Sequence, residues 1–156
     1  MNKISVACVA IAILFLSACN NDKEIEEVIE KPPTQMELWD CHTQAVWHTE
    51  TVFDELVGKW KWFYTQSYGL EENGSNTEIE NMVIEFQKDS VLNIYIDGNM
   101  ESTSIWSVIL TDPPLFGLAL DSAINQLYGR ILFCNDIVEF NNSYIDGDDN
   151  YFRRIE

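Results

Sequence analysis

The sequence predicts an all-β protein, an eight-stranded antiparallel up-and-down barrel entered through one short helix. Three observations carry this. Apolar and polar residues alternate with a period of two in most segments after Leu56, which is the pattern of a half-buried strand. Eight such segments fit into about 100 residues and most are joined by short turns, the spacing of a meander. An open meander leaves two unpaired edges, and eight strands suffice to close it into a small barrel.

Residues 1–18 stand apart from this fold. The apolar run from Ile4 to Leu16, "ISVACVAIAILFL", is shorter than the about 20 residues that cross a bilayer, and has the dimensions of a signal peptide. It ends in "LSAC", which resembles a bacterial lipobox. The resemblance implies that Cys19 is lipidated and begins the mature chain, anchored to a membrane through several acyl chains at about 0.8 kcal/mol per buried CH₂. The alternative is an ordinary signal cleaved near Ala18, with Cys19 a spare thiol. Residues 19–35 then read as an acidic tether. Its "NDKEIEE" is similar to the export signals of Bacteroidota surface lipoproteins, and its "KPP" stiffens it towards extended geometry. Lipid-anchored placement in the outer membrane, at the cell surface or beneath it, is the expectation.

With 26 acidic against 9 basic side chains and a net charge of −17, the chain repels phosphate backbones, which argues against nucleic acid as a partner. The four cysteines reduce to two once Cys8 leaves with the signal and Cys19 is acylated. Cys41 and Cys134 remain to pair in an oxidising envelope. A bridge closing about 93 residues would stabilise the fold by about 4–5 kcal/mol on the chain-entropy argument. Two separate buried thiols are the alternative.

The folded domain is placed at residues 36–156. "TQAVWHTETVFDEL", residues 43–56, reads as its helix, with Val46, Phe53 and Leu56 facing inward and Val57-Gly58 ending it. "GKWKWFYTQ" then alternates Trp60, Trp62 and Tyr64 against Lys59 and Lys61. "MVIEF" and "LNIYI" repeat the alternation about a "QKDS" turn, and "DGN" at residues 97–99 signals a tight hairpin. "STSIWSVIL", "LFGLALD", "LYGRILF", "IVEFNN" and "NYFRRI" complete the eight, separated by "TDPP", "SAINQ", "CND" and "YIDGDD". Residues 70–78 read as an irregular loop. Gly129 shares a face with Leu127 and Ile131, whereas Gly117 and Ala119 oppose Phe116 and Leu118, so one narrow inward gap is expected.

A helical lead-in followed by Gly58-Lys59-Trp60 at the start of the first strand resembles the lipocalin signature. With the lipobox in front and "DGDDNYFRR" near the end, residues 36–156 are similar to the lipocalin-like lipoproteins of Bacteroidota. The resemblance implies that an arginine of the last strand, Arg153 or Arg154, lies across Trp60 beside Gly58 and closes one end of the barrel. It also implies an apolar ligand, such as a lipid, held among Trp60, Trp62, Tyr64, Phe86 and Phe133. Short strands and the clipped loop at Asp112–Pro114 depart from the lipocalin pattern.

Catalytic signals are thin. His42 and His48 are six residues apart and fall on different faces of a helix, so a zinc site would need distant carboxylates. "DGDDN", residues 146–150, has the acid density of a calcium loop without the later bidentate glutamate, and reads as a hairpin turn. Nucleophile-elbow, Cys-His and phosphate-loop patterns do not occur. No catalytic residue, metal or cofactor is assigned, and an enzyme is not expected. Ser90 in "KDSV" and Ser122 in "LDSA" resemble the O-glycan acceptor pattern of Bacteroidota envelope proteins. Two functions follow: a carrier of a small apolar ligand, or a cavity-poor module that binds a partner protein or glycan at its surface.

Overall fold

The computed structural model describes residues 31–68 and 81–156. The signal peptide at 1–18, Cys19, most of the tether at 19–35 and the loop at 70–78 lie outside the described residues. Helices α1 (Gln35–His42) and α2 (Thr49–Leu56) lead into β1 (Gly58–Gln66), β2 (Met82–Phe86), β3 (Val91–Ile96), β4 (Asn99–Asp112), β5 (Leu115–Leu120), β6 (Arg130–Cys134), β7 (Ile137–Asn141) and β8 (Asp149–Arg154). The strands form one closed barrel in sequence order, with β8 returning antiparallel to β1. The all-β, up-and-down architecture expected from alternation is therefore the one adopted.

Its hairpins follow from their turn residues. Asp97 and Gly98 both hold positive φ, 51° and 77°, as a two-residue turn matched to strand twist requires. The prolines of "TDPP" join β4 to β5 through a cis Pro113–Pro114 bond. At one end of the barrel lie the β2–β3, β4–β5 and β6–β7 turns, and α2 is packed across it: Val52 and Leu56 belong to the interior cluster, and Phe53 stacks on Trp106 at 4.4 Å. The opposite end, the mouth, carries the β3–β4, β5–β6 and β7–β8 connections.

The interior is packed. Trp60, Phe86, Trp106, Phe140 and Phe152 are almost wholly buried and belong to one contiguous cluster that draws on all eight strands and α2. This corrects the expected inward gap at Gly129. Its φ is +108°, and a Cβ there would run into the carbonyl of Asn141. At Gly117 a Cβ would come within 2.7 Å of Thr111 and 2.9 Å of the Gly129 carbonyl. Both glycines permit close backbone approach; neither opens a cavity.

Two further expectations change. The helix expected at 43–56 narrows to α2, and an unforeseen α1 precedes it, capped by Thr34 and Glu37: Thr34 N–H donates to Glu37 Oε2 at 2.9 Å, and Glu37 N–H to Thr34 Oγ1 at 3.4 Å, a capping box. Val46 falls in the link between the helices and is 78% exposed. The second change is Tyr64. The β1–β8 register slips between Trp62 and Tyr64, where Phe63 is the extra residue. A bulge reverses the alternation beyond it. Trp60 and Trp62 face inward; Tyr64 faces outward, in a separate cluster with Leu38, Leu132, Ile137 and Tyr151 beneath α1.

Candidate functional site

At the closed end, Gly58 has φ +131°, and a Cβ would meet the Glu156 carbonyl at 2.6 Å and Arg154 Nη1 at 3.1 Å. Only glycine leaves this space for the C-terminal residues and the guanidinium. Arg154 lies over the Trp60 ring, 4.2 Å from its centroid, and the Trp60 indole N–H donates to the Leu56 carbonyl at 2.7 Å. Arg154 also donates to the carbonyls of Val57 and Glu55 and to the Glu55 carboxylate at 2.8 Å. Register pairs Trp60 with Arg154, whereas Arg153 points outward to Phe63 and Asp136. The choice that alternation left open is thereby made. This constellation ties α2 to β1 and β8; it is structural cement.

The flank beneath α1 holds the titratable groups. Cys41 and Cys134 form the disulfide, Cα–Cα 5.3 Å, joining α1 to β6. One turn of side chains away, His42 Nδ1 accepts the Phe133 N–H at 3.1 Å. That amide points towards β5, yet β5 and β6 share only the Phe116–Ile131 register pair. His42 thus substitutes for a missing stretch of ladder. Its ring stacks on Trp47 at 5.1 Å, and burial pushes its pKa down to about 4. The imidazole is neutral at pH 7, with its proton on Nε2. His48 caps α2, its N–H donating to Thr51 Oγ1 at 2.9 Å. The zinc alternative weighed for this pair is not favoured by an Nδ1 already engaged.

Further along the same face, Glu139 is fully buried. Asn141 Nδ2 donates to it at 3.1 Å and Gln35 Nε2 at 3.4 Å. Burial, with the Asp149 charge adding to it, lifts its pKa to about 7. Burial together with those carboxylates also raises the phenols of Tyr151 and Tyr68. Asp149 Oδ1 accepts the Asn142 and Ser143 amides at 2.7 and 2.8 Å, so within "DGDDN" this aspartate organises the hairpin loop, as a turn reading requires. Among the described residues no group of three or more His, Cys, Asp or Glu side chains is placed to hold a metal ion.

Two recesses among the described residues open at the mouth. One, of about 520 Å³, is lined by Trp62 together with Thr65, Asn125, Gln126, Tyr128, Asn142 and Asn150. Its volume falls within the about 300–1,000 Å³ of small-molecule sites. A second, of about 480 Å³, has Met82, Ile94, Ile96 and Ile124 on its floor and shares Asn125 and Gln126 with the first. These two amides stand on the lip because Ile124 and Leu127, on either side, are buried in the barrel interior and fix the loop between β5 and β6. Asn150 is held from below, its Oδ1 accepting the Thr65 hydroxyl at 2.8 Å.

Of the residues expected to line a ligand site, only Trp62 reaches a mouth recess. Trp60 and Phe86 lie at the α2 end, Phe133 packs on Trp47 at 4.9 Å, and Tyr64 is on the outer face. In the sequence the lip residues read as the turn "SAINQ". The available signal is the pair Ile124 and Leu127, three apart, bracketing two carboxamides, Asn125 exposed and Gln126 half-buried. Ser122 is exposed beside Asp121, and Ser90 is half-buried in the β2–β3 turn with φ 66°. No family model, curated protein or solved structure matches the chain.

Proposed function

We propose that this chain is a non-enzymatic small-ligand-binding protein of the cell envelope, lipid-anchored through Cys19, whose ligand sits at the barrel mouth. The lipocalin-like resemblance and the lipobox supply the envelope context. The observation that carries the binding reading is the pair of recesses at the mouth, set on a rigid, filled barrel. A packed interior is a fixed platform, and loops on such a platform are where binding residues concentrate. A ligand threaded deep between Trp60, Phe86 and Phe133 would have to displace core side chains, each worth about 1.5–3 kcal/mol of burial. The mouth demands no such displacement.

The test is a titration of the purified protein with a panel of fatty acids, pigments, saccharides and amino acids, followed by intrinsic tryptophan fluorescence and by thermal unfolding. A saturable response that disappears when Gln126 is changed to Trp, filling the lip, supports the reading. If every class leaves the unfolding temperature unchanged, the packed interior favours the second reading, a surface module for a partner protein. The anchor is tested separately: Cys19→Ser should move the protein from the membrane to the soluble fraction, and continued sedimentation with membranes rules the anchor out.

A further inference from the structure

The chemistry of the rim narrows the ligand. Resting on the mouth-binding reading above, we propose that the ligand is a neutral, hydroxyl-rich molecule with at least one apolar face, a saccharide of about one or two rings.

The first argument is donor and acceptor balance. A sugar hydroxyl both donates and accepts, and the side chain that answers both roles is a carboxamide, with two donors and an acceptor in one plane. Four carboxamides rim the larger recess: Asn125, Gln126, Asn142 and Asn150. Among the described residues, the side chains of Asn125 and Gln126 make no hydrogen bond within the protein and stand open to a ligand. Asn142 adds a second observation: the residue lines the recess, and its Oδ1 is buried with no partner among the described residues. Native proteins leave few such atoms unmatched, because each costs about 1–3 kcal/mol. A small rotation of the Asn142 amide towards the recess would let a ligand hydroxyl supply what the fold does not.

The second argument is charge. Among the described residues, neither mouth recess is lined by lysine or arginine, and each has one carboxylate, Asp148 in the larger and Glu101 in the smaller. On a chain of net charge −17, phosphates, sulfates and uronates would be repelled without a compensating cation. The third is the apolar component. A lipid tail would need a continuous hydrophobic lining, whereas among the described residues the larger recess offers two aromatic side chains, Trp62 and Tyr128, among amides and hydroxyls. That ratio suits the C–H face of a pyranose. The apolar floor of the adjoining recess, Ile94, Ile96 and Ile124, sits across the shared amides and would take a methyl or acetyl substituent.

The test uses glucose, N-acetylglucosamine, cellobiose and glucuronate as probes, with oleate as the apolar comparison, by calorimetry and saturation-transfer NMR on the intact purified protein. Saturable binding of a neutral sugar in the millimolar range or tighter, weakened at least tenfold in the Asn125→Ala, Gln126→Ala double variant, supports the assignment. Asn125 is exposed and Gln126 half-buried, and far-UV circular dichroism checks that the variant keeps its fold. Glucuronate binding as tightly as glucose would overturn the charge argument and the proposal with it. Saturable oleate binding without sugar binding would overturn the saccharide while leaving a mouth-binding protein. Silence from all five probes would overturn the saccharide, and the wider panel above then decides whether small-ligand binding survives.

Discussion

At the scale of single residues, two buried titratable groups under α1 pull stability in opposite directions with pH. His42 is depressed from the usual histidine range to about 4, so unfolding takes up a proton between about pH 6.5 and 4. Its contribution is complete above 6.5 and is lost as pH falls to 4, about 3 kcal/mol if the whole shift is realised. Glu139 is raised to about 7, so its favourable state is the protonated one. Its contribution is complete below about 4.5 and is lost as pH rises through 7. Glu139→Gln should therefore stabilise the protein by about 1–3 kcal/mol at pH 8 and by little at pH 5, read from urea midpoints at the two pH values. Equal effects at both would show that Glu139 titrates normally. Arg154 holds the closed end of the barrel. Arg154→Ala removes the stack on Trp60 and strips donors from the carbonyls of Glu55 and Val57, and should cost about 2–4 kcal/mol. Arg154→Lys keeps the charge without the planar fork and should recover less than half of that.

At the scale of elements, the disulfide and the bulge decide what α1 covers. The Cys41–Cys134 bridge ties α1 to β6 over the outward cluster of Leu38, Tyr64, Leu132 and Tyr151. Cys41→Ala with Cys134→Ala should lower stability by about 4–5 kcal/mol, the loop-closure value for a separation of 93. Proteolysis should then cut first near residues 43–48, between the helices. Strands were legible in the sequence because their alternation is set by a barrel with one wet face, and all eight expected segments overlap an observed strand. Cys41–Cys134 followed from elimination. What escaped had a physical cause each time. α1 has little amphipathic pattern, with only Leu38 and His42 buried, so its evidence was the Thr34-x-x-Glu37 box alone. The bulge at Phe63 leaves no compositional mark, so strict alternation carried Tyr64 to the wrong face. The mouth was hidden because its amides lie in a loop whose position depends on Ile124 and Leu127 finding the interior.

At the scale of the whole molecule, the barrel is not equally closed all round. Most neighbouring strands share four or more register pairs, but β5 and β6 share one. The prolines at 113–114 lack the N–H groups that would extend the ladder, and the β5–β6 loop departs towards the mouth. This seam is where backbone groups would meet water if nothing covered them, and the barrel would open there first. His42 answers at one point, taking the Phe133 amide that faces the gap, while Trp47 and the disulfide hold the imidazole against β6. Closure of the sheet thus depends on a side chain from outside it. The consequence is measurable by amide hydrogen exchange. Above pH 5, Phe133 should be protected like the amides of the β6–β7 ladder. As pH falls through about 4, protonation of Nδ1 removes the acceptor, and the Phe133 protection factor should drop while Leu132, paired with Glu139, keeps its own. In His42→Phe the ring stack on Trp47 survives without an acceptor, so Phe133 should exchange fast at every pH. Protection of Phe133 that is unchanged in His42→Phe would mean that the seam is held by packing alone.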